Sequence, residues 1–365
     1  MELVDRCLKE DIPAIAEIHT KVFGTAGDEP SEGLRSYYET VFLDSPWHDD
    51  ELPSLVYRSE KGEVLGFLGV IARRMSFNGR SIRVAVPHRL MVAPDCSSPL
   101  AAMKMIKKFL AGPHDLVLGD GANDLGKKFM EGMGASISCL YSMNWLRPLR
   151  PFSYMRHILG KCRGLKSLAA VSWPMCLLLD SLARRIPGSP LRTVQTDDCT
   201  AIEIDSQSLL SCITEFSKQR ALRPEYDADH MKWLWDFLKS NTQRGQLQGF
   251  EVRNQKDKRI GVYLYYLKST RLAEVMLLSA RDDSTDTVLK HLLNRASQSG
   301  AICVYGRVEP RFLQSFWDNN CLIKRGSWAV VHARDPEILN VINRGDASLS
   351  MLEGELWLAS PQARL

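Results

Sequence analysis

The chain has 365 residues, more than one hydrophobic core usually serves, so two domains are expected. Hydrophobic residues at 45% and charged residues at 25% are globular values, which exclude a disordered or fibrous class. A net charge of +4, from 47 basic and 43 acidic residues, is too small to point to nucleic acid, and no such partner is expected. Leu3–Phe23 reads as a strand end and then a helix, opened by Asp11 and Pro13 and carrying Ile12, Ile15, Ile18 or His19, and Val22 at helical spacing. Leu55–Tyr57, Val64–Arg73 and Ile82–Val92 are β-rich, and Asn78-Gly79 between the last two is a hairpin signal. A helix is predicted at about Pro99–Leu110, then a strand at Asp115–Gly119 and a helix near Asp124–Met133. This order gives an α/β unit with one central sheet.

The same order returns. Ala201–Lys218 reads as strand and helix, and Gly249–Asn254 with Gly261–Leu267 as a hairpin. Leu272–Ser279, Thr285–Ala296, Ala301–Arg307 and Pro310–Asn319 then read as strand, helix, strand, helix. A shift of 187 residues overlays Leu90–Ile137 on Leu277–Lys324 without a gap, and brings Ala93 onto Ala280, Asp95 onto Asp282, Gly119 onto Gly306 and Phe129 onto Phe316. The chain is therefore read as a duplicated α/β domain, each copy a mixed sheet with helices on both faces. Residues 1–147 form the first copy, 148–195 a linker and 196–365 the second.

The linker sets eight basic residues, among them Arg150, Arg156, Lys161, Arg184 and Arg185, around an apolar centre. Helix is predicted over much of Tyr154–Arg185, with Leu168, Trp173 and Leu177–Leu179 against protein. The other reading of 154–185 is an interfacial helix making peripheral contact with anionic lipid. The most apolar run, Leu168–Leu179, has 12 residues and is too short to span a bilayer. No secretory signal is seen at Met1–Asp5. Nine cysteines are scattered, with no Cys-x-x-Cys pair and no zinc-ligand spacing. No metal is expected, and a reducing cytoplasm is the expected location.

The segment Asp115–Ala135 resembles the second half of the acyl-CoA site of GNAT (acyl-CoA N-acyltransferase) enzymes, through Asn123, Phe129, Glu131, Gly134 and Ala135. The resemblance implies two tandem GNAT-like domains and acyl-CoA, acetyl-CoA first, as co-substrate. It further implies parallel strands that splay around the pantetheine arm, and a loop with a helix N-terminus that holds the pyrophosphate. That loop falls on Ser97–Ala102 in the first copy. Ser97 stands where the family has Arg or Gln and Leu100 where it has the first Gly, while Ala102 conforms. In the second copy Ser284, Thr287 and Leu289 take these places, among Asp282, Asp283 and Asp286, which would repel a pyrophosphate. The first copy is thus the expected cofactor domain, through Leu90, Met91, Val92, Ser97, Ser98, Leu100, Ala102, Lys104, Asn123 and Phe129. The family's general-acid Tyr is replaced by Met130 in the first copy and Trp317 in the second.

Arg223–Trp235 and Gly345–Leu358 are similar to segments of tandem GNAT proteins from bacterial capsule and exopolysaccharide clusters, a likeness that implies a saccharide or other small acceptor. For catalysis the candidates are His88 and Asp120, both at carboxyl ends of strands, where open sheets bind ligands. His19, Tyr226 and Asp229 are candidates for the acceptor. A hydrogen-bonded strand His, a turn Asp, a buried helix His and a solvated helix start are the plainer readings of these residues, and Trp233, Trp235 and Phe237 read as core. The expected activity is acyl transfer from acyl-CoA to an amine or hydroxyl, by direct attack. The alternatives are a non-catalytic GNAT-like scaffold and an aminoacyl transferase resembling the peptidoglycan-bridge enzymes.

Overall fold

The computed structural model describes residues 3–25, 28–162, 173–185 and 199–358. The first half runs β1 (Leu3–Arg6), α1 (Ile12–Phe23), α2 (Glu32–Phe42), β2 (Leu55–Arg58), β3 (Val64–Phe77), β4 (Arg80–Val92), α3 (Ala101–Leu110), β5 (Leu116–Ala122), α4 (Asp124–Gly132), β6 (Ser136–Ser138) and β7 (Met143–Pro148). Two helices follow, α5 (Pro151–Lys161) and α6 (Trp173–Arg185). The second half runs β8 (Cys199–Glu203), α7 (Ser206–Ser217), β9 (Leu222–Pro224), α8 (Ala228–Ser240), β10 (Gln246–Asn254), β11 (Arg259–Leu267) and β12 (Leu272–Ala280). It ends with α9 (Thr285–Gln298), β13 (Cys303–Arg307), α10 (Leu313–Asp318), β14 (Leu322–Arg325), β15 (Trp328–Ala333) and α11 (Pro336–Asn343).

Local chemistry sets many of these boundaries. Asn78 and Gly79, at φ 50° and 85°, make the tight turn between β3 and β4 that the sequence signals. Asp205, Asp227 and Asp335 each accept a backbone N–H at the start of α7, α8 and α11. The helix α2, capped by Ser31, was not expected from the sequence.

The strands form two mixed sheets, as expected. One has the order β1-β2-β3-β4-β5-β15-β6, with β9 also on β3; the other has the order β14-β7-β13-β12-β11-β10-β8. Within each, one parallel step, β4–β5 or β12–β13, stands among antiparallel neighbours. The duplication is visible element by element at the 187-residue offset: β4 answers to β12, α3 to α9, β5 to β13, α4 to α10 and β6 to β14.

The two halves exchange a strand. β15, from the second half, lies between β5 and β6, and β7, from the first half, lies between β13 and β14. A cut of the chain near 147 and 196 therefore does not separate the sheets. At the seam Asp120 meets Arg307, its own equivalent in the second copy. Arg307 Nη1 is 3.6 Å from Asp120 Oδ2, and Nη2 donates to the Asp120 carbonyl at 2.7 Å.

The inner faces of both sheets share one core, filled by α1, α2, α7, α8 and α11, with Tyr38, Phe67, Leu209, Leu234 and Trp357 buried in it. Trp233 stacks on Phe237 and abuts Trp357, so this aromatic group packs on the core, as read from the sequence. The outer faces are covered by α3 and α4 on the first sheet and by α9 and α10 on the second.

α5 and α6 pack on each other, with Asp180 of α6 accepting from the Phe152 and Ser153 backbone N–H groups at the start of α5. The expectation that Leu178 faces protein is corrected. It is 61% exposed, because Asp180 turns the opposite face of α6 toward α5. Leu177 and Leu179 are half-buried; Leu168 lies outside the described residues.

Candidate functional site

β4 and β5 pair only at Val84–Leu116 and Ala85–Val117, and then part. The same stretch of β4 carries a bulge. Gly69 of β3 pairs with His88 and Phe67 with Met91, which leaves an extra residue, and Arg89 sits at φ 57°. Beyond the parting lies a cavity of about 150 Å³, walled by apolar side chains such as Leu68, Leu90, Ile106, Phe129, Met130 and Val330. His88 and Glu355 supply its ionisable wall, and Arg89 also borders it.

His88 is buried on β4. Its Nδ1 lies 2.8 Å from Glu355 Oε2, and its Nε2 lies 3.3 Å from the Tyr37 hydroxyl, which itself donates to the Leu358 carbonyl at 3.0 Å. With a carboxylate at Nδ1, the neutral ring holds its proton there and turns the Nε2 lone pair to the Tyr37 hydroxyl, whose one proton is shared between Nε2 and the Leu358 carbonyl. Burial moves the His88 pKa down from its ordinary value, and Glu355 pulls the other way. Glu355 Oε1 accepts the Gly121 N–H at 3.0 Å, and the Glu355 N–H donates to Asp120 Oδ1 at 2.7 Å.

This chain of contacts draws the C-terminal segment into the mouth of the first sheet. Gly354 permits it, since a Cβ there would lie 2.1 Å from the Asp120 carboxyl carbon. Asp120 itself is buried behind Glu355, and burial raises its pKa from 3.8 to about 6 against the opposing pull of Arg307.

His88, Leu90 and Phe129 thus meet around one cavity, as a shared site requires. The other expected residues lie elsewhere. Met91 points to the opposite face of the sheet, where the Tyr38 hydroxyl donates to its Sδ at 3.8 Å. Val92 is half-buried against the outer core. Ser97, Ser98 and Leu100 form the loop before α3, with Ala102 in that helix's first turn, which has no acid. Lys104 Nζ lies over the Tyr57 ring, 5.7 Å from its centroid. Asn123 caps α4, accepting the Gly126 N–H at 2.8 Å. His19 is buried with Nδ1 2.8 Å from the Tyr38 hydroxyl, and its pKa is lowered to about 4, first by burial.

Tyr226 belongs to a second cavity of about 430 Å³, with Trp47, Arg73 and His230; its hydroxyl donates to Glu353 at 3.1 Å. Asp229 is exposed in the first turn of α8.

Sequence reasoning missed Glu355 and Tyr37. Tyr37 lies in the unexpected α2. Glu355 lies in Gly345–Leu358, a segment notable for its likeness, but nothing local tied its carboxylate to a residue 267 positions away.

In the second copy the corresponding cleft is filled. Trp145 of β7 stands opposite Gly306 just as Val330 of β15 stands opposite Gly119, and the two glycines are equivalent. The Trp145 indole is fully buried and stacks on Phe316 at 4.7 Å between centroids. The acids of this copy are largely partnered. Asp282 meets Arg220 at 3.3 Å and Arg311 at 3.5 Å, and Asp286 meets Lys290 at 2.7 Å.

Splayed parallel strands, a bulge beside the gap and a helix start beyond it appear in one order, on a sheet present twice. The fold is that of GCN5-related N-acetyltransferases. A conserved protein of Enterococcus faecalis V583, described as a probable N-acyltransferase, is similar with a TM-score of 0.61 and 10% identity, over 91% of this chain and 73% of that one. A GCN5-related N-acetyltransferase from Anabaena variabilis gives 0.57 and 12%, over 92% and 74%. Saccharomyces cerevisiae N-myristoyltransferase, solved with myristoyl-CoA, gives 0.51 and 10%, over 95% and 84%. No protein-family model matches the chain, and no curated protein sequence matches it. Among the described residues no group of three or more His, Cys, Asp or Glu is placed to hold a metal ion, and no helix is long and apolar enough to cross a membrane.

Proposed function

We propose that the chain is an acyltransferase that moves an acyl group, acetyl first, from acyl-CoA to an amine or hydroxyl, using the cleft of its first half. The observation that carries this reading is the apolar cavity at the β4–β5 parting, with the His88–Glu355 pair in its wall. The residues present fit the co-substrate. The cavity wall suits an acyl or pantetheine arm, and the acid-free start of α3, a helix of 10 residues, suits a pyrophosphate. Bound acyl-CoA would supply the activated thioester; the chain supplies orientation and proton handling.

His88 is the general base of this proposal. Burial keeps it neutral, and Glu355 fixes its tautomer and stabilises the imidazolium that forms when the acceptor gives up its proton. Asp120 holds the Glu355 backbone and so acts as a positioning residue. Met130 lines the cavity at the place of the family's tyrosine and cannot protonate the departing thiolate, which would leave as such or take its proton from water.

The second cavity, with Tyr226 and Arg73, is tied to the cleft by one segment of chain, since Tyr226 donates to Glu353, and Glu355, two residues on, lines the cleft. Its mixture of aromatic and polar groups suits a saccharide acceptor of the cell envelope, the class that the likeness of Gly345–Leu358 suggests. The test is release of free CoA thiol from acetyl-CoA, with amines, amino sugars and nucleotide sugars as acceptors. Acceptor-dependent release that His88→Ala lowers by about a hundredfold or more is expected. The loss of the tyrosine at Met130 favours a second reading, a non-catalytic acyl-CoA-binding protein, and binding without any acceptor-dependent release would select it.

A further inference from the structure

We propose that the hairpin of α5 and α6 docks the protein on an anionic lipid bilayer. On α5, Phe152, Met155 and Ile158 are exposed at steps of three residues; on α6, Met175, Leu178 and Leu182 are exposed at i, i+3 and i+7. Each set forms a stripe along its helix. Of the 16 large hydrophobic side chains exposed among the described residues, these two helices carry 6, and Met175 and Leu178 are 65% and 61% exposed. Isolated exposed hydrophobes are ordinary; such a stripe on each of two packed helices is not.

Charge names the occupant. Arg150, Arg156, Lys161, Arg184 and Arg185 lie in or beside the two helices, against a single acid, Asp180. That acid is buried and occupied, accepting from the Phe152 and Ser153 backbone N–H groups at 3.0 Å. By sequence, therefore, the two helices and their flanks carry basic residues, and the one acid within the helices is buried. A second copy of the chain docking through the same face would bring like charges together, whereas anionic headgroups neutralise them. The helices, of 11 and 13 residues, are too short to span a bilayer but suited to lie in its interface with their apolar side chains below the headgroups. The inference does not depend on the enzymatic reading.

The test is co-sedimentation of the full chain with vesicles of phosphatidylcholine alone or mixed with phosphatidylglycerol, at low and high salt. Binding to the phosphatidylglycerol vesicles, weakened by salt and slight on phosphatidylcholine, is expected. The triple variant Met175→Ser, Leu178→Ser, Leu182→Ser should lose more than about tenfold in partitioning. Its circular dichroism and melting temperature should not change, because these side chains are exposed. Arg184→Glu with Arg185→Glu should lose at least as much, since each base near such a surface is worth about fivefold. A full chain that stays in the supernatant with phosphatidylglycerol vesicles, or a serine variant that binds them as well as the parent, would overturn the proposal. Self-association that the serine variant abolishes, without vesicle binding, would do the same and assign the face to a second copy.

Discussion

Both oxygens of Glu355 are engaged, one by His88 and one by the Gly121 N–H, so this carboxylate can hold the ring at one angle and in one tautomer. Glu355→Gln keeps the shape and removes the charge. Its kcat is expected to fall about a hundredfold with little change in KM. Glu355 raises the His88 pKa while burial lowers it, so in the variant the acidic limb of the kcat/KM profile should move to lower pH as the plateau falls. A plateau equal to that of the parent would remove Glu355 from the mechanism. Asp120 makes a separate prediction about stability. Its pKa rises from 3.8 unfolded to about 6 folded, chiefly by burial, so the folded state holds the proton more tightly. This contribution is complete below about pH 4 and is lost as pH rises through about 6, on the order of 3 kcal/mol in all. Asp120→Asn should flatten the stability curve across that window in urea titrations at successive pH values. An unchanged slope would show that Asp120 titrates normally. His88 was singled out in the sequence because a base on the strand before the expected cofactor loop is a local pattern. Its partner was not, because only the folded C-terminal segment brings Glu355 to it.

The contrast between the copies belongs to β7 and β15. At equivalent places one presents Trp145 and the other Val330, which fills the gap beside β13 and leaves the one beside β5 open. Sequence reasoning reached the same choice of copy through Asp282, Asp283 and Asp286, yet salt bridges already engage Asp282 and Asp286, and the indole is the stronger reason. Trp145→Ala should cost about 3–5 kcal/mol in chemical denaturation, since the fully buried indole leaves a cavity behind. A loss under about 1 kcal/mol would mean that the second cleft closes by other means. Whereas α2, β6 and β14 went unread, the order from β3 to α4 and from β10 to α10 was readable from periodicity, the Asn78-Gly79 turn and the 187-residue repeat. The exchange of β7 and β15 was not. Nothing local to Met143–Pro148 or Trp328–Ala333 names the sheet that receives it, and only three-dimensional closure decides.

At the scale of the whole molecule the exchange ties the halves together. Each sheet takes an interior strand from the other half, and one core spans both inner faces. Unfolding is therefore expected as a single transition, with calorimetric and van't Hoff enthalpies equal, and residues 1–147 expressed alone should not give a folded domain. Two resolved transitions would refute that coupling. The central claim, that the cleft of the first half binds acyl-CoA, is tested most directly by the acyl-CoA-induced thermal shift of the parent chain and of Val330→Trp, which copies the second half's plug into the first. Acetyl-CoA or a longer acyl-CoA at 100 times its dissociation constant should stabilise the parent by about 2.7 kcal/mol, a shift of several degrees at most. Val330→Trp should fold, by circular dichroism, and show no shift. Leu100→Glu at the start of α3 should also abolish it, and Thr287→Glu in the second half should leave it intact. A parent chain that no acyl-CoA stabilises, or a folded Val330→Trp that shifts as the parent does, would contradict the account.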